Sequence, residues 1–503
     1  MTRALASSVL CVSLIAGCSS PAEVGPSRGP TAEAPSPSGP QSGSPAHPSP
    51  SSAAPTLAPS AAPTLRPSVS QAPLLSARQL GLDIRMAPGA NGTLFVSIPR
   101  PGGSILTRLD PAGSPVLGWP ITVRSSTACE LLLPVFPDGS VRVVCTLENP
   151  DGNMFSPIAA FAFDSEGFPL RGWPVSLGGS DYAALATGNG LALAETSPGS
   201  DVITPGQPSH TIALVNVTAT AAVRSGVPVP VIPTWPGDRW AIGPGWGAYG
   251  VQGSVLSPKL SEITAIDLTG ARPGWPVSVD GIASAPAFGH DGRIILAVAS
   301  PDQVPRTTRV IKVDDLDGAI VARSSELPIA TGMLPPDGDG AYECGVPLPR
   351  PPIADPGGTV FVYSEIDDAI YGLDPSLTVM AGWPIVAGEL ERPDPWLGQD
   401  GISCPSLAVP GVGPGGTLYV ALKARDESVG GRLLAVGSDG QTRPGWPVEL
   451  RRAGSEFWAI ATSVRGIVYA LAIEPEADGG SSATILAIAP DSKVIYATTI
   501  LNP

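Results

Sequence analysis

The chain reads as an all-β protein, a β-propeller of four-stranded antiparallel blades, with eight blades and seven as the alternative count. Three observations predict this. A tripeptide, Gly-Trp-Pro, closes a phrase that recurs about every fifty residues, and self-similarity at such a period marks a repeat architecture. Each period holds enough alternating segments and turn signals for four short strands. Gly (59) and Pro (60) punctuate the 503 residues densely, which favours many small β elements over long helices.

The N-terminal segment comes first in chain order. Arg3 gives a positive start, and Ala4 to Ala16 form an apolar run too short to span a bilayer. Residues 1–17 are therefore expected to be a secretory signal. Its end, Ile15-Ala16-Gly17-Cys18, resembles the bacterial lipobox. That resemblance implies cleavage before Cys18, lipidation of its thiol and a membrane-anchored, extracytoplasmic protein of the cell envelope. Residues 18–77 are almost wholly Pro, Ser, Ala, Gly and Thr, a composition that cannot build a core. They are expected to be a disordered tether, partly polyproline in character. The propeller is expected over 78–503.

Within that span the phrase has four parts. A strand of small residues, such as Ser284-Ala285-Pro286-Ala287-Phe288, leads to a tight Gly-containing turn, such as His290-Asp291-Gly292. An alternating strand follows (Thr93-Leu94-Phe95-Val96, Thr359-Val360-Phe361-Val362, Thr417-Leu418-Tyr419-Val420), with the pattern of a half-buried strand. A third strand ends at an Asp, a hairpin turns, and the fourth carries Gly-Trp-Pro. The fullest copies pair Asp110 with Trp119, Asp164 with Trp173, Asp267 with Trp275 and Asp374 with Trp383; Trp446 closes a fifth, with Gly437 at its Asp position. Taken as a ruler, the Asp position falls at 110, 164, 216, 267, 315, 374, 437 and 489, with Asn216, Asp315, Gly437 and Ala489 as degenerate members. Gly226-Val227-Pro228 and Leu327-Pro328 stand where tryptophan is missing.

Asp267-Leu268-Thr269-Gly270 resembles the quinoprotein-like (PQQ-like) propeller repeat, in which a strand ending Ala-Leu-Asp turns through Thr-Gly towards a tryptophan. The resemblance covers residues 80–503 and implies the fold. The repeated tryptophans are expected to dock between neighbouring blades with the indole N–H on a backbone carbonyl. The repeated aspartates are expected to accept hydrogen bonds from turn amides.

In a propeller the A–B and C–D turns share one end, and the B–C loops and D–A crossovers share the other. Length variation falls on the second: the B–C loops 148–156, 197–209, 300–306, 425–431 and 474–482, and the crossovers 331–351 and 388–403. Loops presented together on a rigid scaffold carry function, so this end is the expected binding face. Its candidate residues are Asp337, Asp339, Glu391, Asp394 and four tryptophans that fall outside the phrase, Trp235, Trp240, Trp246 and Trp396. Asp337-Gly338-Asp339-Gly340 lacks the full spacing and closing glutamate of a Ca²⁺ loop, so no metal site is assigned.

Setting aside Cys11, in the signal, and Cys18 leaves four cysteines, and an oxidising compartment suggests two disulfides. Cys344 and Cys404 sit at the entrances to adjacent blades and are paired on that ground. Cys129 and Cys145 flank the Asp138-Gly139 turn of one blade, in a register read as offset from a direct cross-strand pair.

Net charge is −15, and an acidic surface repels phosphate, so nucleic acid is excluded as a partner. Three histidines leave little for a metal or acid–base centre. Eight such blades behind a lipid anchor resemble the outer-membrane assembly lipoproteins, which dock proteins through exposed loops and need no cofactor. A monomeric, non-catalytic binding or scaffold protein is the reading taken, with no catalytic residue and no cofactor assigned. A PQQ-like dehydrogenase is one alternative and would need PQQ and Ca²⁺. That family also places adjacent cysteines beneath the quinone, which this chain lacks, and His210 and His290 fall in a variable loop and a tight turn. A glycan- or cell-wall-binding propeller is the other alternative.

Overall fold

In a computed structural model the described residues are 84–100, 102–126, 129–132, 135–147, 157–178, 181–187, 190–198, 210–231, 240–243, 247–252, 260–289, 291–300, 307–328, 349, 351–364, 369–386, 410–422, 428–477 and 480–501. They form eight antiparallel sheets and no α-helix, the only helical pieces being 3₁₀ turns at Ala90–Gly92 and Pro414–Gly416. The sheets are consecutive in sequence, spanning 85–123, 130–177, 181–231, 240–280, 282–323, 353–386, 411–449 and 456–501, and are blades 1 to 8. In each, strands A to D lie side by side in chain order. D is split in blades 3 and 4, where Val223–Ser225 and Val229–Val231 both pair with His210–Thr218, and Gly270–Ala271 and Val277–Asp280 both pair with Leu260–Asp267. A is split in blade 5, where Pro286 has no N–H to give. Here Ser284 Oγ takes the Ala297 amide at 3.1 Å between the pieces Ile282–Ala283 and Ala287–Phe288.

Eight apolar clusters lie at the eight blade junctions. Phe95, Leu106 and Trp119 of blade 1 meet Val141, Val143 and Phe163 of blade 2, and each later junction repeats the arrangement. The last cluster sets Leu94, Val96 and Ile98 of blade 1 against Tyr469, Leu471 and Ile485 of blade 8, which closes the ring. The structure is thus an eight-bladed β-propeller. Among the described residues no strand is exchanged to close it: all four strands of blade 8 come from 456–501.

This geometry corrects the expectation that the alternating strands are half-buried. Leu94 to Ile98 are buried at every position. The alternation separates two neighbours rather than core from solvent, Val96 facing blade 8 and Phe95 facing blade 2. A strand between two blades is covered on both faces, so both sets of side chains are mainly apolar, with Ser97 the polar exception here.

Two ruler positions also move. Thr218, not Asn216, closes strand C of blade 3: its hydroxyl accepts the Ala222 amide at 3.1 Å, and its own amide bonds the Ala222 carbonyl. Asp314, not Asp315, does so in blade 5, where its carboxylate takes the Leu316 amide at 3.0 Å. The blade 5 turn is one residue longer, Asp314 N–H reaching Ala319 where Asp110 N–H reaches Ser114, and the ladder beside it shifts register at Lys312/Val313. A neighbouring polar residue and an added turn residue each displaced the sequence alignment.

Candidate functional site

The end formed by the A–B and C–D turns is built from the repeat phrase. Asp110 Oδ1 accepts the amides of Ala112 (2.8 Å) and Ser114 (2.9 Å), and Asp164 Oδ1 those of Glu166 and Phe168 (both 2.9 Å). Asp267 Oδ1 accepts the Thr269 amide and hydroxyl (2.7 and 2.6 Å). Asp374 Oδ1 accepts the Ser376 amide and hydroxyl and the Thr378 amide. At Asp267 and Asp374 the donors favour the charged form, the pKa of Asp267 being lowered first by the Thr269 hydroxyl and that of Asp374 first by the Ser376 hydroxyl.

The carbonyl one residue past the Asp position is the acceptor that ties each blade to the one before it. Trp119 Nε1 donates to Ser165 O (3.3 Å), Trp173 to Ala219 O (3.3 Å), Trp383 to Ser438 O (3.0 Å) and Trp446 to Pro490 O (3.2 Å). Where the phrase is degenerate another donor serves. The Val227 amide takes Leu268 O at 3.2 Å, Arg272 Nη1 takes Asp315 O at 3.0 Å, and Lys312 Nζ takes Pro375 O at 2.7 Å. Arg108 joins Trp119 on Ser165 O. Trp275 is buried with no hydrogen-bond partner for its Nε1, its junction being served by Arg272. Arg108, Arg272 and Lys312 were not singled out from the sequence; Arg108 and Lys312 each stand two residues before the Asp position, a register that would have found them.

The glycine of the phrase follows from the same approach. Gly118, Gly274 and Gly382 have φ of 90°, 85° and 86°, and a Cβ at any of them would collide with the carbonyl of Glu166, Asp317 or Asp439 on the next blade. The five Trp–Pro peptides of the repeated phrase are cis.

At the other end, the described candidates are few. Cys129 and Cys145 are disulfide-bonded, with Cα atoms 4.4 Å apart. The ladder pairs Glu130 with Val144, so the two cysteines stand directly opposite one another, which corrects the offset register expected above. Burial raises the Glu130 carboxyl, and the Arg85 charge opposes this. Trp240 lies in strand A of blade 4 (Trp240–Ile242), half-buried against the blade 3–4 cluster, its ring over Gly250, where a Cβ would meet it. Arg452 Nη1 bridges to Glu476 at 3.0 Å, and Ser482 Oγ donates to Glu476 Oε1 at 2.7 Å, joining a crossover to a B–C loop. Cys18, Cys344, Cys404, Trp235, Trp246, Trp396, Asp337, Asp339, Glu391 and Asp394 lie outside the described residues, as do the signal and tether. Among the described residues no group of three or more His, Cys, Asp and Glu is arranged to hold a metal ion.

No protein-family model matches the chain, and no curated protein does. Among solved structures, it is similar to the β-propeller domain of the Trilobed protease from Pyrococcus furiosus at 11% identity and a TM-score of 0.40, over 74% of this chain and 96% of that one. It is similar to Chaetomium thermophilum Sqt1, solved bound to the N-terminus of the ribosomal protein L10, at 10% identity and a TM-score of 0.43, over 81% and 97% of the chains. It is also similar to a Mycobacterium tuberculosis puromycin-hydrolyzing peptidase at 15% identity and a TM-score of 0.39, over 74% and 53%.

Proposed function

We propose that this propeller is a non-catalytic binding or scaffold protein, of the quinoprotein-like repeat type, that engages its partner through the end carrying the B–C loops and D–A crossovers. The observation that carries the reading is the fate of the repeated polar groups at the opposite end. The aspartates there are engaged by their own turns, and four of the five repeated indole N–H groups by the next blade, so that end is committed to assembly. Recognition is left to the residues that vary between blades, and these concentrate at the other end. The lipobox-like Cys18 and the Pro/Ser-rich tether support a monomer held on the extracytoplasmic face of a membrane and displayed at a distance from it.

Capture experiments with the full chain, and with the 331–351 and 388–403 crossovers shortened, test the face. A partner retained by the full chain and lost from the shortened one is the expected result; a partner held equally by both would sink the assignment. Labelled fatty acid should enter the native protein and not Cys18→Ala, and label in both would remove the anchor from the proposal.

A further inference from the structure

We propose that the cleft between blades 4 and 5 is a binding subsite for a carboxylate carried on a short apolar stem. The inference stands apart from the anchor and from the scaffold reading. The cleft has a volume of about 100 Å³ and a floor of Val279, Val298 and Ile311. Arg309 and Arg323 line it from blade 5, and Asp280 from blade 4. Strand register puts both guanidiniums on one face: Val298 is opposite Arg309, and Ile311 is opposite Arg323. That face is the one turned to blade 4, since Val298 and Ile311 belong to the core of this junction.

Two like charges on neighbouring strands repel, and only one of them is answered. Arg309 lies 3.8 Å from Glu326, whose side chain is 50% exposed. Among the described residues Arg323 has no ion-pair partner. In a chain of net charge −15, two adjacent arginines over an apolar floor are a local exception rather than a product of composition. A guanidinium fork matches a carboxylate in geometry. The facing Asp280 disfavours a dianion, which selects a monocarboxylate over phosphate. The cleft holds the volume of roughly three waters, or a stem of about four carbons, and that stem displaces water from the valine and isoleucine floor.

Calorimetry on the full chain with 4-methylpentanoate tests this, beside 4-methylpentanamide and inorganic phosphate. Saturable binding of the acid is expected, about tenfold weaker for the amide and about tenfold weaker for the acid on Arg323→Gln. Arg323 is exposed, so the variant should melt with the native protein, and Arg309→Gln should weaken binding in the same direction. The proposal falls if the acid does not bind, if acid and amide bind alike, if phosphate binds more tightly, or if Arg323→Gln binds as the native chain does. A tripeptide ending in leucine, with free or amidated terminus, separates the sources: free-terminus binding tighter than that of 4-methylpentanoate assigns the site to peptide ends, and weaker binding assigns it to free acids.

Discussion

Asp374 and Trp383 show what single residues of the phrase contribute. Asp374 Oδ1 takes three donors from its own turn, and its pKa is lowered, chiefly by the Ser376 hydroxyl; Asp267 is lowered in the same sense by Thr269. A carboxyl whose pKa falls on folding stabilises the fold above its unfolded pKa, about 3.9, and loses that contribution as pH falls towards its folded value. Melting temperature should therefore drop below about pH 4, and Asp374→Asn should make that acid limb shallower. An unchanged limb would mean that the turn does not hold the carboxylate in its charged form. Trp383 and Trp275 form a natural control for the indole hydrogen bond. They are equally buried, at 7% and 8% exposure, but only Trp383 has an acceptor, Ser438 O. Both lose ring volume on replacement by phenylalanine. Trp383→Phe should cost about 1 kcal/mol more than Trp275→Phe in denaturant unfolding, the net worth of one hydrogen bond. Equal losses would leave packing alone to explain the tryptophans.

At the scale of the element, strands A and B of blade 2 are joined by Cys129–Cys145, which closes a sequence separation of 16. A loop of that size corresponds to about 3 kcal/mol of chain entropy removed from the unfolded state. Both cysteines are fully buried, so the double Cys→Ala variant tests the bridge without burying a hydroxyl. It should lower the unfolding free energy by about that amount, and reductant should move the native protein, not the variant, to the same point. Blade-level structure was readable because its signals are local. Asp-to-Trp spacing gave the C–D hairpin, and alternation gave strand B. What was misread depends on neighbours in space. Thr218 and Asn216 are both short polar residues near the end of strand C, and only the turn bonds decide which one closes it. The cross-strand pairing of Cys129 and Cys145 rests on the register of a hairpin whose turn phrase does not fix strand length. Of the candidate site, the pattern showed which end of the ring varies. It did not show the Arg309–Arg323 pair, because two arginines fourteen residues apart become neighbours only through the bulged ladder between their strands.

At the scale of the molecule, seven junctions share one device and the eighth does not. From blade 1 through blade 8, the carbonyl after the Asp position receives an indole, a main-chain amide, a guanidinium or an ammonium from the blade before. Between blade 8 and blade 1 the bonds are different: Thr498 Oγ1 to Gly113 O (2.7 Å), Tyr469 OH to Gly92 O (3.0 Å) and Arg465 to Asn91 Oδ1 (3.1 Å). With no strand exchanged among the described residues, these bonds and the Leu94–Leu471 cluster join the first blade to the last. The seam therefore carries its own pH sensitivity. Tyr469 is buried there and its hydroxyl pKa is pushed up to about 12; Tyr496, in the same seam, is raised in the same sense by burial and by Tyr469. A tyrosine whose pKa rises on folding contributes fully below its unfolded value, about 10, and that contribution drains away between there and the folded value. For Tyr469 a rise of about two units corresponds to roughly 2–3 kcal/mol across pH 10 to 12. Tyr469→Phe removes that ionisation along with the bond to Gly92. It should lower stability at pH 7 by about 1 kcal/mol and make the decline above pH 10 visibly less steep. Unfolding followed by near-ultraviolet absorbance and by circular dichroism should remain a single transition in both proteins, because a ring that opens at its seam uncovers two blade faces at once. An early, separate transition in the variant would instead show blade 8 unfolding alone, and would mark the seam as weaker than the seven junctions that share the common bond.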